Sequence, residues 1–151
     1  AGLHALFDGK ADVVDLVLRH YYGACGWGTA RLDAAITCVQ YGPADDVIAA
    51  GDIDGRIHFI CAQTGEKILC PLGCDSAVLS IDWHDNHIAT GCNNGKINVF
   101  DAQSGDCLWT VRGHTDVVRS VCFSSDGKVL TSGSEDSTVR NWNPATRASL
   151  S

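Results

Sequence analysis

The chain has 151 residues, enough for one ordinary domain with a sizeable core. Apolar residues make up 45% and charged residues 19%, a balance that fits a folded domain and excludes a disordered one. The formal net charge is −7 with no Lys/Arg cluster. That makes a poor nucleic-acid binder and no nucleic-acid partner is expected, because phosphate affinity comes from counterions released at basic contacts.

No apolar run is long enough to span a bilayer, so no membrane partner is expected. No basic stretch followed by an apolar core opens the chain, so the expected location is intracellular, cytoplasmic or nuclear. An internal fragment would lack such a signal too.

Residues 1–31 do not share the pattern of the rest of the chain. Val13, Val14, Leu16, Val17 and Leu18 crowd one side, with Asp12, Asp15 and Arg19 between them, which predicts one short helix. Leu3–Ala5 and Gly9–Leu18 loosely resemble one ankyrin unit, and one such unit cannot bury its own face. A linker helix or a degenerate repeat remnant are the alternatives. Tyr21–Gly28 reads as a glycine-rich connection.

From residue 32 onward three segments lie over one another. The first runs Ile36–Tyr41, Val47–Gly51, Asp54–Ile60. The second runs Val78–Trp83, His87–Gly91, Asn94–Phe100. The third runs Val118–Phe123, Val129–Gly133, Asp136–Trp142. Gly51, Gly91 and Gly133 mark the period at 40 and 42 residues. Each unit opens with an alternating apolar strand. A turn comes next: Pro43–Asp46, Asp85–Asn86 or Ser125–Gly127. Then come a short strand, a tight turn and a third strand. Gln63–Gly65, Gln103–Gly105 and Ala145–Arg147 read as turns into a fourth strand. Four short strands in about forty residues is one propeller blade. The predicted fold is all-β, a partial propeller of about three four-stranded antiparallel blades at 32–72, 73–112 and 113–151. The chain stops where the last outer strand should begin.

The unit resembles the WD-repeat family, and the third copy carries the resemblance best. It has Gly113-His114 before its first strand, Phe123–Gly127, Ser132–Asp136 and Trp142-Asn143, where the family pattern ends in Trp-Asp. The resemblance implies a structural hydrogen-bonded chain of His114, Ser132, Asp136 and Trp142. A buried carboxylate needs donors and an indole N–H needs an acceptor, so the set is physically coherent. It is not a catalytic triad, which needs an exposed nucleophile beside an oxyanion hole. The second copy offers Cys74, Thr90, Asn94 and Phe100 at the matching places, and the first offers Ala50, Asp54 and Ile60. Both are expected to hold together mainly by apolar packing.

The eight cysteines form no CxxC pair and mostly alternate with apolar residues, so they read as buried reduced thiols. His84 and His87 lack a third ligand nearby, so no metal is expected. No cofactor motif, phosphate loop or nucleophile elbow is present, which argues against an enzyme. The function expected is a protein–protein interaction scaffold, with further blades supplied by a longer parent chain. The alternative is a regulatory propeller appended to an enzyme, nucleotide-binding or ankyrin-containing parent. In the family, the turns before the first strand and between the second and third share one face. Here they supply Asp52, Asp75, Asn93, Asp116 and Glu135, an acidic set that suits proteins or peptides with basic segments.

Overall fold

The computed structural model describes residues 29–150, which form twelve strands in three antiparallel sheets. The helix and ankyrin-like unit read in the amino-terminal segment fall outside the described residues. The first sheet holds β1 (Ile36–Tyr41), β2 (Val47–Asp52), β3 (Arg56–Cys61) and β4 (Lys67–Gly73). The second holds β5 (Val78–His84), β6 (His87–Cys92), β7 (Lys96–Asp101) and β8 (Cys107–Arg112). The third holds β9 (Val118–Phe123), β10 (Leu130–Ser134), β11 (Val139–Asn143) and β12 (Ala148–Leu150). Within each sheet the strands lie in chain order, so each blade is a meander.

The three blades share one register. Gly51 faces Cys38 and Ile57, Gly91 faces Ser80 and Ile97, and Gly133 faces Ser120 and Val139. The third strands begin directly after the tight turns of the repeat, at Asp54-Gly55, Asn94-Gly95 and Asp136-Ser137. That turn needs a left-handed residue, and the first two blades place Gly55 (φ 87°) and Gly95 (φ 78°) there. The third blade places Ser137 (φ 66°). The last strand, read as cut away, pairs with β11 over three residues, Asn141 to Asn143.

The core lies between blades. Val47, Ile57 and Phe59 of the first blade pack on Val78, Ile81, Trp83, Ile88 and Phe100 of the second. Ala89, Ile97, Val99 and Trp109 of the second pack on Val118, Val121, Leu130 and Trp142 of the third. The middle blade is therefore covered on both faces, and β6 is buried at every position after His87. The innermost strands β1, β5 and β9 stand side by side. Val121 N–H donates to Ser80 Oγ (3.1 Å) and Phe123 N–H to Asp82 Oδ2 (2.6 Å), which fastens the third blade to the second near the hub.

Cysteine placement corrects part of the sequence reading. Cys61 and Cys92 are buried, Cys38 and Cys74 are half-buried, and Cys107 and Cys122 are exposed. The last two alternate with apolar neighbours but fall on the solvent side of the pleat. His84 stacks near Phe123, at 5.9 Å between ring centroids.

Candidate partner-binding face

The turn that carries Asp136 and the loop that carries His114 meet at one edge of the third blade. His114 Nδ1 lies 2.8 Å from Asp136 Oδ2, and His114 Nε2 lies 2.7 Å from Ser132 Oγ. Trp142 Nε1–H donates to the same Ser132 Oγ at 2.8 Å. An indole nitrogen only donates, so Ser132 Oγ accepts from Trp142 while the same hydroxyl contacts His114 Nε2. His114 then donates to Asp136 through Nδ1. Thr115 N–H (3.1 Å), Thr138 N–H (2.9 Å) and the Thr138 hydroxyl (2.6 Å) complete the shell around Asp136. The Thr138 hydroxyl and the other donors hold the Asp136 carboxyl below the usual carboxylate range. Ser132 is fully buried and cannot meet a substrate.

The other two blades add polar contacts of their own to their apolar packing. In the second blade Cys74 Sγ stands 3.5 Å from Thr90 Oγ1, where His114 meets Ser132 in the third. Asn98 Nδ2–H donates to Cys92 Sγ (3.4 Å), and Thr110 Oγ1–H donates to Asn98 Oδ1 (2.8 Å). Asn94, at the Asp136 position, donates to Asp75 Oδ1 at 3.0 Å. In the first blade Asp52 Oδ2 lies 2.7 Å from His58 Nε2, and Asp52 Oδ1 accepts Arg56 N–H at 2.8 Å. Burial pushes the Asp52 carboxyl up, but His58 and the backbone donors outweigh it and the net shift is down. Asp54 and Ile60 occupy the Asp136 and Trp142 positions without joining this pair.

Of the five residues expected on one acidic face, four are exposed: Asp75, Asn93, Asp116 and Glu135. Asp52 is the exception. It lies at the end of β2 with its side chain 0% exposed, spent on His58, and so cannot meet a partner. The remaining acids are largely balanced by cations missed in the sequence. Lys96 Nζ reaches Asp75, with the Lys96 ammonium donating, and Arg119 Nε–H donates to Glu135 Oε1 at 2.7 Å. Lys96 holds the Asp75 carboxyl low. Asp116 Oδ1 accepts the neighbouring Val117 N–H and, among the described residues, meets no cation.

Comparison with known proteins agrees with this geometry. The sequence profile described as "WD domain, G-beta repeat" matches residues 66–101 and 105–143. WD repeat and SOCS box-containing protein 1 of Danio rerio is 33% identical over 108 residues, which make up 66% of this chain and 24% of that protein. Nuclear distribution protein PAC1-2 of Uncinocarpus reesii is 33% identical over 101 residues, 67% of this chain and 20% of that protein. The chain thus spans about a quarter of the length of the curated relatives it matches. Among solved structures, the RRP9 WD40 repeats superpose with a TM-score of 0.74 at 28% identity, covering 80% of this chain and 39% of that one. The computationally designed Ika4 protein gives 0.71 at 25% identity, covering 82% and 75%. On its matched repeats, its relatives and its fold, the chain belongs to the WD40 repeat family.

Proposed function

We propose that the chain is a non-catalytic interaction segment of a larger WD-repeat scaffold. WD40 repeat proteins are in general non-catalytic scaffolds, and that membership implies protein partners. The observation that carries the reading is the face built by Asp75, Asn93, Asp116 and Glu135. Its side chains are exposed, while polar contacts in the second and third blades anchor the backbone beneath them. Rigidly mounted exposed loops are what a binding surface needs.

The internal ion pairs narrow the chemistry. Asp75 and Glu135 already face Lys96 and Arg119, so a basic partner gains least there and most at Asp116. The partner class that fits is a segment with one or two cationic side chains, not a long polybasic tract. A second reading draws on relatives whose name joins WD repeats to a SOCS box: the same kind of blades appended to another module in the parent chain.

Binding of Lys/Arg-bearing peptides to the full chain, followed by fluorescence anisotropy, tests the proposal. Asp116→Lys is expected to weaken binding about tenfold, and Glu135→Gln to leave it within about twofold. Equal binding by wild type and Asp116→Lys would sink the basic-partner reading.

A further inference from the structure

We propose that Cys74 and Cys92 form a reversible thiol–disulfide site in the second blade, oxidised by hydrogen peroxide or an equivalent two-electron oxidant. Both sulfurs flank one hydroxyl: Cys74 Sγ lies 3.5 Å and Cys92 Sγ 3.8 Å from Thr90 Oγ1. Asn98 Nδ2–H points at Cys92 Sγ, and Thr110 fixes that amide by holding its oxygen. In register terms Cys74 takes the place of His114 and Thr90 that of Ser132. A sulfur pair in the second blade therefore occupies ground that the third blade gives to its locking network.

The two thiols differ in the way a reactive pair requires. Cys74 is half-buried on a loop beside the exposed Asp75, within reach of a small oxidant. Cys92 is fully buried at the end of β6, so the thiol it can meet is that of Cys74. Hydrogen bonds, that of Cys92 first, bring the Cys74 thiol down to about 7 against the opposing effect of burial. That shift favours the thiolate, the form that attacks an oxidant.

The chemistry balances in two steps. The Cys74 thiolate attacks one peroxide oxygen; the O–O bond breaks, an S–O bond forms, and hydroxide leaves to take a proton from water. The sulfur is oxidised by two electrons and the peroxide is reduced. The Cys92 sulfur then attacks the sulfenic acid; the S–S bond forms, the S–O bond breaks, and the thiol proton leaves with the hydroxyl as water. The product joins the loop to β6. Because Cys74 N–H already donates to Gly55 O at 2.7 Å, the bond also tightens the seam between the first and second blades.

The full chain carrying Cys70→Ser tests this, since Cys70 would otherwise share a cleavage peptide with Cys74. After peroxide treatment, cleavage at Lys/Arg and before Asp should yield peptides 68–74 and 85–96 joined by a bond that dithiothreitol removes. The oxidised chain should show a higher Tm than the reduced one. Cys92→Ser should abolish the link and leave Cys74 open to dimedone trapping. Oxidation of the exposed Cys107 and Cys122 without any Cys74–Cys92 link would overturn the proposal. Should Cys92→Ser fail to fold, iodoacetamide labelling of the wild type decides. Cys74 should reach half-maximal rate near pH 7, and a profile centred on the ordinary thiol value of about 8.5 would overturn it.

Discussion

Ser132 sits between a donor that cannot accept and a histidine that must be held, and its hydroxyl serves both. Removing it orphans a buried indole N–H and frees the His114 ring. Ser132→Ala should therefore cost about 1–3 kcal/mol in urea unfolding. Ser132→Thr should recover more than half of that loss, because the second blade carries Thr90 at the same register. Asp136 adds a pH signature. Its folded carboxyl titrates below the unfolded value of about 3.9, so its stabilisation is complete above about pH 4 and lost as pH falls from there. Asp136→Asn should flatten the acid limb of the stability profile, measured by thermal melts between about pH 2 and pH 6. The third-blade set was legible in the sequence because His114, Ser132, Asp136 and Trp142 resemble the family pattern in one copy of the repeat. The Asp52–His58 pair was not. Asp52 reads as a turn residue, and only the hairpin register carries β2 far enough to bury it. The Cys74–Thr90–Cys92–Asn98 group was hidden too, since each member reads separately as a strand or loop residue.

At the scale of elements, strand positions were readable because period-2 alternation and turn residues are local signals. What the repeating glycines are for became clear only from packing between blades. A Cβ on Gly51 would meet Val78 Cγ1 at 2.6 Å, and one on Gly91 would meet Val118 Cγ1 at 2.8 Å. The next inner strand lies directly on the glycine in both cases. At Gly133 nothing lies within 4 Å. Substitution should therefore have opposite consequences at equivalent positions. Gly91→Ala should destabilise by about 1–3 kcal/mol through overpacking against a buried β-branched residue. Gly133→Ala should be neutral or stabilising by up to about 1 kcal/mol, since alanine costs less backbone entropy than glycine in a strand. Equilibrium unfolding of the two variants side by side checks this. Equal losses at both would mean that the period reflects backbone geometry and not blade contact.

Among the described residues, the run of blades ends in two faces that carry exposed apolar side chains. In register terms Val39 corresponds to Ile81 and Tyr41 to Trp83. Val39 is 63% exposed where Ile81 is 6%, and Tyr41 is 51% exposed where Trp83 is 6%. On the opposite side Val139 is 74% exposed where its counterpart Ile97 is 0%. The first blade thus presents to solvent the side chains that, one blade later, build the interblade core. Burying each such side chain is worth about 1.5–3 kcal/mol, so contiguous exposure of this kind drives association. The isolated chain should therefore show concentration-dependent light scattering. The double variant Val39→Lys/Tyr41→Lys should suppress it, because a charge on that face must be desolvated for any contact to form. The far-UV circular dichroism spectrum should stay unchanged, as both side chains are more than half exposed. Scattering that persists in the double variant would move the adhesive surface to the third blade, where Val139→Lys is the corresponding change.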